Sequence, residues 1–206
     1  MSNDFIDKLK KSIKGKICVF IDAANLEQSV RGMWVNPKDI PDELKKYTPD
    51  QLVWRIDYEK LKKFFEGVGN LGGIRFYSAY FASDSHGRFL AFLKKVLAFV
   101  LKTKPLKEYG DHTQERPHRK ANFDVEIAVD ATFSLKDYDT LILFSGDCDS
   151  EYLLKFLRGR GKIVIVFSRS GHIAKELLPA SSYYFDIADF RTEILRIEVK
   201  KAKNPA

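Results

Sequence analysis

At 206 residues, 45% of them hydrophobic, the chain is long enough for one domain with a sizeable core and too apolar for a disordered one. Two cysteines exclude a disulfide framework or a cysteine-ligated zinc site, and no apolar run is long enough for a membrane-spanning helix. The net charge of +7 points only weakly to polyanionic partners, because a basic balance also serves solubility.

Residues 1–15 read as a polar lead without the long apolar core of a secretory signal, so a cytoplasmic setting without membrane contact is expected. Lys16–Asp22 is an apolar run closed by an acid and reads as a first buried strand. Glu27 to Arg55 is irregular and interrupted by Pro37, Pro41 and Pro49, which marks an insertion after strand 1 (about 27–55), not a second domain. Asp57 suits the N-cap of a helix over Tyr58–Glu66, closed by Gly67 and Gly69. Ile74–Phe81 is the next strand. Asp84 or Ser85 caps a helix from about Gly87 to Leu101, with Phe89, Phe92, Leu93, Val96 and Val100 at core spacing.

A basic segment follows, in which Lys102, Lys104, Lys107, His112, Arg116, His118, Arg119 and Lys120 crowd among few apolar residues. It reads as a loop, either a solvated excursion or a phosphate contact. Asn122 to Leu135 is a helix whose repeat of Val125, Ala128, Val129 and Thr132 marks the expected inward face. Leu141–Phe144 is a buried strand ending in the acidic turn Ser145-Gly-Asp-Cys-Asp149. Ser150 or Asp149 caps a helix over Glu151–Arg158, terminated by Gly159 and Gly161. Lys162–Phe167 is a strand of the kind buried on both faces. Ser170 caps a short helix ending near Pro179. Tyr183–Ile187 is a short strand, Phe190–Val199 a closing element, and 197–206 a basic tail. This alternation predicts an α/β fold: one Rossmann-like domain over 16–196, with a parallel sheet and helices on both faces.

In such a sheet Asp22, Asp147 and Asp149 sit at carboxyl ends of strands, the rim where open α/β sheets place ligands. Two carboxylates ~4 Å apart repel by roughly 4 kcal/mol at an effective dielectric of 20, a repulsion relieved by a cation or by open water. Asp124 opens a helix, where a carboxylate also serves simply as an N-terminal charge. Taken together these acids form an oxygen-only constellation of the kind chosen by hard divalent cations, Mg²⁺ or Mn²⁺. An ion there would lower the pKa of a bound water and hold a phosphodiester. Cys18 reads as a core residue and Cys148 as a turn residue with no histidine nearby in sequence. His86, His112, His118 and His172 read as surface or loop residues, with His118 nearest a basic partner. Trp34, Trp54, Tyr77 and Tyr80 read as packing residues, with base stacking as the alternative.

Three motifs then occur in order: Phe20-Ile-Asp-Ala-Ala-Asn25, Lys120-Ala-Asn-Phe-Asp-Val-Glu-Ile-Ala-Val-Asp130, and Ser145-Gly-Asp-Cys-Asp149. Together they resemble the NYN domain, the LabA-like branch of the PIN-like ribonuclease superfamily, over roughly Lys16 to Arg196. The resemblance implies a Rossmann-like, PIN-like sheet and metal-dependent cleavage of RNA. It implies Asp22, Asp124, Asp147 and Asp149 as catalytic metal ligands, with Asn25, Asp130 and Ser145 supporting them. Lys120, Arg119, His118 and Arg116 are the residues expected to meet RNA. Ser150 stands where the family pattern has a bulky aromatic, and Ala23 where glycine is common; neither change removes an acid. A non-catalytic RNA-binding module with a structural metal stays open as the alternative. A phosphatase is disfavoured by Ala24 two residues past Asp22, and a dinucleotide site by the lack of a glycine-rich turn. The oligomeric state also stays open, a homo-oligomer included.

Overall fold

The computed structural model describes residues 2–105, 107–109 and 118–200. Helix α1 (Ser2–Ser12) precedes β1 (Lys16–Asp22) and α2 (Ala23–Val30), after which three 3₁₀ turns lead into β2 (Leu52–Ile56). Then come α3 (Tyr58–Val68), β3 (Asn70–Tyr80), α4 (Asp84–Lys95), β4 (Val100–Pro105), and the short antiparallel pair β5 (Lys107–Tyr109) and β6 (His118–Lys120). The chain continues through α5 (Asp124–Phe133), β7 (Thr140–Phe144), a 3₁₀ turn (Cys148–Ser150), α6 (Glu151–Gly159), β8 (Ile163–Ser168), α7 (Leu177–Ala180) and β9 (Tyr183–Asp186). It ends with a 3₁₀ turn (Ile187–Phe190), α8 (Arg191–Ile194) and β10 (Leu195–Val199).

Six strands form one sheet in the order β4-β3-β1-β7-β8-β9, and every neighbouring pair is parallel. Strand order reverses between β1 and β7, so a crevice opens beyond their carboxyl ends. Period-two alternation divides the strand side chains between two cores. Val19 and Ile21, Ile142 and Phe144, and Ile165 and Phe167 point to the face covered by α1 to α4. Phe20, Leu141, Leu143, Val164 and Val166 point to the face covered by α5, α6 and α7. Helices therefore lie on both faces, as the sequence predicts.

Several expectations change. The N-terminal lead is a helix, and its Leu9 is fully buried in the first core. The segment after strand 1 is less of an excursion than its prolines suggest. Helix α2 occupies its start, and β2 pairs antiparallel with β10 at its end. Arg191 clamps the middle by donating Nε and Nη2 to both oxygens of Asp39, at 2.7 and 3.3 Å. Helix α4 stops at Lys95, and Val100–Pro105 becomes the edge strand β4 in place of a helix end and basic loop. The largest correction concerns α5. Its core face is Ile127 and Ala131, with Phe123 just ahead, whereas Val125 is 72% exposed and Val129 60%. Of the stripe read as inward, Val125, Val129 and Thr132 face solvent, and only Ala128 is partly buried against the second core. Among the described residues no helix is long and apolar enough to cross a membrane.

Candidate metal centre

Asp22 is the last residue of β1 and the N-cap of α2. One carboxylate oxygen, Oδ1, accepts from the backbone N–H of Ala24 (3.0 Å) and Asn25 (3.2 Å), which satisfies donors the first helical turn leaves unpaired. Its other oxygen accepts from Asn25 Nδ2 at 2.9 Å. The same Asn25 side chain uses its Oδ1 to accept from the N–H of Gly146, 3.2 Å away and 121 residues further along the chain. Asn25 therefore ties the end of β1 to the turn after β7.

The turn after β7 is locally over-determined. Buried Ser145 offers Oγ to the N–H of Asp147 (3.2 Å), and Asp147 in turn caps the 3₁₀ turn by accepting from Asp149 N at 3.3 Å. A Cβ on Gly146 would lie 2.0 Å from the carbonyl oxygen of His172, so only glycine lets the 169–174 loop close over this backbone. Asp147, Cys148 and Asp149 each present a ligand atom, and the three lie within 4.8 Å of one another, close enough to share a metal ion.

Asp124 opens α5 with its N–H held by Asn122 Oδ1 at 2.8 Å. One of its carboxylate oxygens, Oδ2, is buried and has no hydrogen-bond partner among the described residues. Partial burial pushes its pKa up, Asn122 opposes this, and the charges of Asp147, Asp22 and Asp149 add to the rise. Asp22 is also raised, by burial first, against its three hydrogen bonds, with Asp147 adding to the effect. These acids thus reach one another electrostatically from three separate chain segments. Asp22, Asp124 and Asp147 line one cleft of about 250 Å³ together with Asn25, Tyr77 and Asn122. Asp149 is exposed, with a carboxylate oxygen within 4.8 Å of one on Asp147. An orphaned buried oxygen facing further carboxylates is a donor set that fits a hard divalent cation.

Asp130 lies off this cluster, as expected for a residue six places beyond Asp124 on a helix. It accepts from the Tyr77 hydroxyl at 3.0 Å, with Lys102 Nζ at 3.3 Å and Arg75 Nη1 at 3.8 Å. Tyr77 is raised well above an ordinary phenol by burial and then by this carboxylate, so it remains a hydrogen-bond donor at the cleft wall. Lys104 is likewise engaged, bonding Glu126 at 2.7 Å and lying over the Phe123 ring. The first two cations of the basic segment are therefore strand residues paired to α5. Arg116 and His112 lie outside the described residues, as do the side chains of Lys107, His118, Arg119 and Lys120. The β6 backbone leads directly into Ala121 and Asn122, which line the cleft.

Asn122 is a cleft residue that sequence reasoning missed, and Tyr77, read as packing or stacking, lines the cleft as a hydrogen-bond donor. An Asx residue two places before a helix-opening acid is a capping signal that identifies Asn122. Tyr77 carries no such mark, being one of several aromatics in its strand. Cys148 is exposed, and desolvation together with Asp147 and Asp149 pushes its thiol up, which keeps it protonated.

The NYN domain family model matches residues 16–188. A curated relative, the Low amplitude and bright protein LabA of Synechococcus elongatus, is 38% identical over 103 residues. That match takes in 50% of this chain and 55% of the relative, so the chain spans about half of that protein's length. Among solved structures, a protein of unknown function from Vibrio parahaemolyticus superposes with a TM-score of 0.61 at 20% identity. The superposition covers 89% of this chain and 97% of that one, a likeness of fold.

Proposed function

Because the chain belongs to the NYN domain family, in its LabA-like, PIN-superfamily branch, we propose that it is a divalent-metal-dependent ribonuclease acting on single-stranded or loop RNA. The observation that carries this reading is the buried, unpartnered Oδ2 of Asp124 in a cleft shared with Asp22 and Asp147. Asp22, Asp124, Asp147 and Asp149 would hold Mg²⁺ or Mn²⁺, since all offer hard oxygen donors. Such an ion, when bound, supplies an acidified water and neutralises charge on a phosphodiester.

The chain's own residues do the rest. Asn25 and the α2 N-terminus hold the Asp22 carboxylate in one orientation. Ser145 and Gly146 hold Asp147 in the turn beside it. Asp149 is exposed and therefore open to solvent and to substrate. His118, Arg119 and Lys120, on the strand that runs into the cleft wall, and Arg116 before them are assigned to RNA phosphates.

Purified protein is expected to cleave an unstructured RNA in Mn²⁺, to stop on chelation, and to lose at least 100-fold in rate in Asp147→Asn. RNA that stays intact in Mn²⁺ while binding salt-dependently refutes cleavage and assigns the site to a structural metal in an RNA-binding module.

A further inference from the structure

A second cavity is larger than the acidic cleft. It has a volume of about 680 Å³ and opens between α2 and the β2–β10 ribbon, a size typical of small-molecule and cofactor sites. Its interior is aromatic: Trp54, Tyr58 and Phe89 line it. Its rim is cationic, with Arg31, Arg55, Arg196 and Lys200 against the two carboxylates Glu27 and Glu198. Glu198 is already met by Arg196 at 2.7 Å and by Arg55 at 4.0 Å. Arg31 makes no ion pair within 4 Å among the described residues, although its charge and that of Arg55 act on Glu27, and Lys200 adds a further positive charge while donating to the Asp50 carbonyl.

Tyr58 supplies the second observation. Its side chain is only 8% exposed, and its hydroxyl, which is not shut off from solvent, has no protein hydrogen-bond partner among the described residues. Both Tyr58 and Glu27 line the cavity, and the Glu27 charge adds to the burial that raises the phenol. The cavity therefore offers an aromatic interior, a neutral donor beside a carboxylate acceptor, and a cationic rim. A bare inorganic anion would leave the aromatic volume empty, and a fatty acid would leave the Tyr58–Glu27 pair unused.

We propose that this cavity binds a nucleoside phosphate, with the base inside and the phosphate at the arginine rim, either as a free nucleotide or as one residue of an RNA strand. The base packs against Phe89 and Tyr58 and presents its polar edge to the Tyr58 hydroxyl and Glu27. Arg31 and Arg55 take the phosphate. The cavity lies one to two turns along α2 from the acidic cleft, about 10 Å from Ala24 to Arg31. The His86 ring stands between them, 5.0 Å from Phe81 of the cleft and 6.2 Å from Phe89 of the cavity. The assignment does not depend on cleavage at the acids.

The test uses a property of the composition. The chain has two tryptophans; Trp54 lines the cavity and donates its indole N–H to the backbone carbonyl of Trp34 at 3.2 Å. Intrinsic fluorescence therefore reports on this cavity. The full chain in chelator is titrated at low salt with AMP and UMP, and separately with a cleavage-resistant 2′-O-methyl hexanucleotide. Saturable quenching is expected, weakened at least 10-fold in an Arg31→Glu, Arg55→Glu double variant and several-fold in Tyr58→Phe. Quenching by mononucleotides assigns a free-nucleotide site, and quenching by the hexanucleotide alone assigns a strand subsite. Quenching by neither, or quenching indifferent to both cavity variants, overturns the proposal. Cleavage that fails while quenching persists refutes only the nuclease reading.

Discussion

Asp124→Asn should make the protein more stable in chelator and less stable in Mn²⁺, a crossing that only a metal ligand produces. In chelator Asp124 repels Asp147, Asp22 and Asp149, and its Oδ2 is buried without a donor. Because Asp124 is about half-buried, solvent screens much of that repulsion, and its relief is on the order of 0.5–1 kcal/mol. For a domain of this size that is about 1–4 °C in Tm. Mn²⁺ at 100 times its Kd stabilises the wild type by about 2.7 kcal/mol, or roughly 5–11 °C, and the variant should gain little. The pKa of Asp124 is raised by folding, so the stability it contributes is intact below the ordinary carboxylate range. It is lost as pH rises through the raised value. The advantage of the variant in chelator should therefore be present at pH 7.5 and vanish near pH 4. Differential scanning fluorimetry across pH, with and without Mn²⁺, measures all of this. A variant less stable than wild type in chelator at pH 7.5, or one that gains as much from Mn²⁺, refutes the reasoning and leaves Asp124 as a helix-end charge.

Three further outcomes are expected. Asn25→Ala removes the partner of both Asp22 and Gly146 N–H and should cost about 1–3 kcal/mol, read as a lower denaturation midpoint, with the Mn²⁺ shift reduced as well. Gly146→Ala places a Cβ against the backbone of His172 and should cost about 1–3 kcal/mol; an unchanged melting curve would show that the 169–174 loop moves freely. On α5, Ile127→Ala should cost about 2–5 kcal/mol in urea titration, while Val129→Ala stays within about 0.5 kcal/mol. The reverse order would restore the inward face expected from the sequence.

Legibility in the sequence tracked how locally each feature is encoded. Strands β1, β7 and β8 are buried on both faces, so each reads as an unbroken apolar run, and the parallel sheet follows from them. The edge strand β4 carries Lys102 and Lys104, whose charges match the basic stretch beyond, and nothing local separates strand from loop there. Helix α5 is apolar on two sides; periodicity detects both stripes but cannot select the one against the sheet. That choice depends on the neighbouring Phe123 and Ala131, which fit a close contact where Val125 and Val129 do not. Asp22, Asp124 and Asp147 are legible because strand and helix ends mark them. The Asn25–Gly146 bond is not, since it joins segments whose adjacency exists only in the folded sheet.

That bond also dates the site within folding. The contacts that assemble the acids, β1 against β7 and Asn25 against Gly146, are among those of long sequence separation, and such contacts close late because chain entropy must be lost first. A chain folded only as far as α4 holds Asp22 alone, and one folded through α5 adds Asp124 but still lacks Asp147. Repulsion among the acids thus arises only once β1 and β7 are paired. A divalent ion present at that moment would act on the folding rate as well as on the finished fold.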